Sequence, residues 1–152
     1  MKVLDKTNAI WGAVSTVLAA LLGAYWFLFL AFFVLNIVDY ITGFTKAKFF
    51  EKNESSAVGA KGVVKKVMYW VVVGIAFFMS DCFIRMGELV NADLHFMVLF
   101  GWFTLATYMI NEIRSILENC VAMGIKVPAF LTKGLEVANK VIDKTTEVDQ
   151  NE

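Results

Sequence analysis

The chain has 152 residues, a length that fits one domain, and 59% of them are apolar. A soluble domain is about 45–50% apolar, so the excess argues against an ordinary water-soluble core. Fourteen basic residues cancel fourteen acidic ones, and the lysine cluster flanks apolar segments, which argues against nucleic-acid binding.

The first apolar run, residues 7–38, has no Asp, Glu, Lys, Arg or His. Lys2 and Lys6 before it imitate a secretory leader, but the run is far longer than a signal core of about 7–15 residues and has no A-x-A site. The segment is therefore expected to be retained. As one helix it would exceed a hydrocarbon core of about 30 Å, at about 1.5 Å per residue. A bend or break near Gly23 is the expected solution, with one complete span over about 24–43. Whether residues 8–22 cross, re-enter or lie on the membrane is open at this point. Gly12, Ser15, Thr16, Ala19 and Gly23 recur at spacings of three and four. Such a small-residue stripe is a candidate helix-packing face in lipid.

Residues 44–66 read as a polar loop, with Ser55, Ser56, Gly59 and Gly62 as breakers. Within it, residues 46–66 carry six lysines against two glutamates. Short lysine-rich loops stay in the cytoplasm, so this loop and the C-terminus are expected inside. Residues 67–84 form a second span, with Gly74, Phe78, Asp81 and Arg85 on one face. Asp81 is read as an i,i+4 partner of Arg85, and Asp39 as a group at the cytoplasmic headgroups. An acidic loop, 85–94, leads to a third span over 95–111, opening on His95, the single histidine.

After Asn111 the pattern turns amphipathic, through 112–144, and ends in a polar tail, 145–152. Arg114 and Glu118 form an i,i+4 pair; Gly124 suits a helix C-cap and Pro128 the first turn of the next helix. Leu131, Leu135, Ala138 and Ile142 make an apolar stripe on that helix. The fold class is thus an all-α integral membrane domain with three transmembrane helices and C-terminal amphipathic helices. Cys82 and Cys120 have no metal-type spacing, and no nucleophile, phosphate or metal motif is present. No enzyme activity, cofactor or metal is expected.

Two blocks carry a resemblance. The first is Asp39, Tyr40, Thr42, Gly43 and Lys46, followed by Ser55, Ser56, Gly59, Gly62, Lys65 and Lys66. The second is Asn111, Glu112, Ser115, Glu118, Asn119, Gly124 and Pro128. In this order, in a small three-span protein, they resemble the phage holin family that includes the clostridial toxin-secretion holins. The resemblance implies a homo-oligomer in the bacterial cytoplasmic membrane. It implies lesions through which a cell-wall hydrolase (endolysin) or a larger protein passes. Ser15 with Thr16, and Thr104 with Tyr108 and Asn111, are candidate wettable faces for such a lesion. A small transporter or channel subunit, or a membrane scaffold, are the competing readings. Ionisable residues near span ends rather than at mid-span disfavour the transporter.

Overall fold

The computed structural model describes residues 2–51 and 56–147. Ser55 and the last five residues of the polar tail lie outside them. Among the described residues there is no strand. The helices are α1 (Lys2–Leu22), α2 (Trp26–Thr45), α3 (Ser56–Val90), α4 (Val98–Ala122) and α5 (Ala129–Glu147). A π-helical turn, Lys46–Glu51, extends α2, and a 3-10 turn, His95–Met97, leads into α4. Among the described residues, three stretches are long and apolar enough to cross a membrane: Trp26–Glu51, Gly59–Val90 and His95–Ala122.

Contacts divide the chain into two compact units, Met1–Val34 and Leu35–Glu152. In the first, the expected break is present. Gly23 has φ 79°, a left-handed conformation that ends α1 after Leu22. The chain turns there through Trp26 N–H donating to the Gly23 carbonyl at 3.2 Å. A Cβ at Gly12 or Gly23 would find nothing within 4 Å. The Ser15 and Thr16 hydroxyls donate to the Gly12 carbonyl at 3.0 and 2.8 Å, inside their own helix.

The second unit is built on an antiparallel hairpin of α3 and α4. Successive cross-helix pairs run Ser80 with Gly101, Phe77 with Trp102, Tyr69 with Tyr108, and Lys66 with Glu112. Near the turn the helices approach through glycine. A Cβ on Gly101 would lie 2.7 Å from the Phe77 ring, and one on Gly87 would lie 2.5 Å from the Ala92 carbonyl oxygen. The Gly101 N–H, near the start of α4, donates across to Ser80 Oγ at 3.1 Å. Ser80 Oγ in turn donates to the Ala76 carbonyl at 2.9 Å.

Two expected loops are shorter than the sequence suggests. Helix covers 44–51 and 56–66 of the stretch read as a polar loop, and α3 runs on through 85–90. Gly59 and Gly62 each cost a helix about 1 kcal/mol, but the Ala and Lys residues between and after them are strong helix formers, and packing outweighs propensity. The ends of α4 and α5 follow expectation. Gly124 takes φ 82° just past α4, and the Pro128 carbonyl accepts from Leu131 N–H at 3.0 Å as α5 begins.

The distribution of polarity is inverted relative to a water-soluble protein. In the second unit the buried side chains include Asn36, Ser80, Glu112 and Asn119 beside Val73, Ala76 and Leu105. Meanwhile Ile75, Phe78 and Leu89 are 52%, 69% and 83% exposed. A polar interior under an apolar surface is stable where the surrounding medium is hydrocarbon.

Candidate functional site

The polar interior concentrates at the end of the α3–α4 hairpin away from its turn. Lys66 on α3 donates to Asp39 Oδ2 on α2 at 2.7 Å and to Glu112 Oε2 on α4. One ammonium therefore serves two carboxylates on two other helices. Asn119, two turns further along α4, donates its amide to Asp39 Oδ1 and to Thr42 Oγ1, both at 3.2 Å. Thr42 Oγ1 donates to the Asp39 carbonyl at 3.0 Å. Both oxygens of Asp39 are thus engaged, one by Lys66 and one by Asn119. The Lys66 and Asp39 side chains are each 15% exposed and that of Glu112 is 4% exposed.

The cluster is a tie between helices. Leaving a carboxylate without its partner at this burial costs several kcal/mol, so the three helices are held in one register. Its local logic is legible on each helix. Asp39 and Thr42 are three apart on α2, while Glu112 and Asn119 are seven apart on α4, and each spacing returns to one face. Gly43 lets Asn119 approach, since a Cβ there would be 3.5 Å from its amide nitrogen. A Cβ at Gly59 would lie 3.9 Å from the Tyr40 hydroxyl.

Beside the cluster a recess of about 500 Å³ is lined by Gly62, Lys65, Asn111, Ser115 and Glu118 together with the charged trio. The Lys65 ammonium stands over the Tyr69 ring, 5.6 Å from its centre. Arg114 and Glu118 pair at 2.9 Å on the exposed side of α4, as their spacing predicts. Lys46 is 3.8 Å from Glu51 in the π-helical turn. Ser56 opens α3. Among the described residues no group of three His, Cys, Asp or Glu side chains could hold a metal ion.

Of the residues singled out in the sequence, the structure gathers Asp39, Thr42, Lys66, Glu112 and Asn119 into one network. Asp39, read from the sequence as a headgroup neighbour, gains a further role in tying helices together. The carboxylate is a largely buried partner of two helices. On the expected wettable face of α4, Tyr108 lies on Tyr69 with ring centres 4.4 Å apart, and Thr104 donates to the Phe100 carbonyl of its own helix at 2.8 Å. Asp81 and Arg85 do pair, at 2.7 Å, and both are exposed. Sequence reasoning missed the network itself. Its members are 27, 46 and 80 residues apart, and no periodicity spans such distances. The available signal was the presence of Asp39, Lys66 and Glu112 at the matching ends of three apolar runs.

Similarity to known proteins agrees with this architecture. The profile of the bacteriophage holin family matches residues 16–140. A probable holin of Bacillus phage phi105 is 37% identical over 119 residues, covering 76% of this chain and 77% of that protein. An uncharacterised 14.9 kDa protein from the nagH 3′ region of Clostridium perfringens is 32% identical over 131 residues, or 85% of this chain and 91% of the relative. An uncharacterised Halalkalibacterium halodurans protein is 30% identical over 137 residues, covering 90% and 95% of the two chains. No solved structure matches. With the matched region running from within α1 into α5 and taking in all three spans, the chain belongs to the bacteriophage holin family.

Proposed function

We propose that this protein accumulates in the bacterial cytoplasmic membrane, self-associates, and opens lesions through which a cell-wall hydrolase or another large protein crosses. The observation that carries the reading is the inverted polarity. Apolar side chains cover helices long enough to span a bilayer, while charged and amide groups lie between the helices. A chain of this kind has a polar interior to offer, and a lesion wide enough for a folded enzyme needs many copies that each present a polar edge. Family membership supports the same role. The endolysin is a functional partner, since it supplies the hydrolysis that the membrane protein does not.

The lysine-rich segment around residues 46–66 and the C-terminus face the cytoplasm in this reading, by the positive-inside bias. Induced expression in a bacterium, with and without a cytoplasmic hydrolase, tests it. Growth should stop abruptly, and the wall should be degraded only when the hydrolase is present. Cells that stay intact once the protein is fully inserted would overturn the proposal.

A further inference from the structure

The helix α5 has two apolar faces, and α4 uses only one. Leu135 lines the groove between α4 and α5 together with Leu117, Val121 and Ala122 of α4. Phe130, Val137 and Val141 are 71%, 61% and 59% exposed. At about 100° per residue these three project within an arc of roughly 40°, and Leu135 lies about 120–160° away from them. The outward face is therefore a separate apolar stripe, directed away from α4.

Its flank is cationic. Lys133 and Lys140, both exposed, fall seven residues apart and about 40–60° to one side of Val137. Glu136 is turned further, toward the groove with α4. Phe130, Lys133, Val137, Lys140 and Val141 thus share one side of the helix with no acidic residue among them. Lysine stems can lie along the valines while their ammonium groups reach outward.

We propose that this outer face of α5 docks on the anionic phospholipid headgroups of the membrane that α4 crosses. Charge complementarity selects that occupant, because an apolar stripe edged by lysines is the composition that lies in an anionic interface. Continuity supports it, since only the six residues 123–128 separate α5 from a membrane-spanning helix. Beyond that connection α5 packs beside the last turns of α4, with Thr132, Leu135 and Glu136 lining one groove with Leu117, Glu118 and Val121. The proposal rests on membrane insertion alone and not on lesion formation, so it can fail while the lysis role stands.

The full chain, with Cys82→Ser and Cys120→Ser, would carry a polarity-sensitive fluorophore at Val137→Cys or, as the reference site, at Glu136→Cys. It would be reconstituted in phosphatidylcholine vesicles with or without phosphatidylglycerol, each containing nitroxide-labelled lipid. The label at 137 should be blue-shifted and quenched in the anionic vesicles, and the label at 136 should be neither. Two lysines at an anionic surface contribute roughly thirtyfold to the docked population (about 1 kcal/mol each). Lys133→Gln with Lys140→Gln should remove that dependence on phosphatidylglycerol, with helicity checked by circular dichroism. Equal signals at the two sites, or equal quenching at 137 with and without phosphatidylglycerol, would overturn the proposal. So would disulfide formation between copies through Val137→Cys, which would place a second chain on the face.

Discussion

The two ends of the α3–α4 hairpin are held by different physics. Near the turn, Gly101 admits the Phe77 ring, Gly87 admits the Ala92 carbonyl, and Ser80 bridges the helices. At the far end Lys66 joins Asp39 and Glu112, and Asn119 joins Asp39 and Thr42. The first end depends on how closely two backbones can approach. The second depends on charge that must be compensated. In lipid, where apolar side chains gain little by leaving the solvent, these are the two available means of fixing helices against one another.

The largest effect should come from breaking the charged end. Lys66→Ala leaves two poorly exposed carboxylates facing each other, and should cost about 3–5 kcal/mol of stability in detergent. Denaturant unfolding followed by circular dichroism measures it. Replacing all three charges together (Asp39→Asn, Lys66→Met, Glu112→Gln) should recover much of that loss, because no uncompensated charge remains. If Lys66→Ala costs less than the glycine substitutions below, the charged end is not the stronger tie.

The close-packed end should respond to added volume. Gly101→Ala puts a methyl 2.7 Å from the Phe77 ring, for a loss of about 1–3 kcal/mol. Phe77→Ala should absorb part of that loss, so the two substitutions should be non-additive in a double-mutant cycle. Gly87→Ala meets a backbone oxygen at 2.5 Å, which cannot swing aside as a side chain can. A Cβ at Gly74, on the same helix, would meet nothing within 4 Å, so Gly74→Ala should instead stabilise by up to about 1 kcal/mol through helix propensity. Opposite signs at 87 and 74 separate close approach from intrinsic helix preference.

Much of this architecture was legible in the sequence. Long apolar runs mark the spans, Gly23 marks the break before α2, and Gly124 with Pro128 marks the end of α4 and the start of α5. The i,i+4 pairs Asp81–Arg85 and Arg114–Glu118 followed from spacing alone. Glycine and serine, read as breakers, overextend the polar loop, because lysine and alanine sustain the helix there. The network was illegible for a different reason. Asp39 alone looks like an interfacial carboxylate, and only the packing of three helices shows that Lys66 and Asn119 occupy both of its oxygens.

The smallest effect sharpens the same contrast within one helix. Arg114 and Glu118 lie on α4 within two turns of Glu112, and their contact is 2.9 Å, as well formed as that of Lys66 with Asp39. Yet both side chains are 64% exposed, against 15% for Lys66 and 4% for Glu112. Exposure lets surrounding water and ions compensate each charge when its partner is removed, so geometry alone does not make the pair strong. Arg114→Ala should therefore change stability by no more than about 0.5 kcal/mol, and the change should shrink further in high salt. A loss approaching that of Lys66→Ala would mean that this stretch of α4 is shielded from water in the membrane-bound protein, either by lipid or by a neighbouring copy.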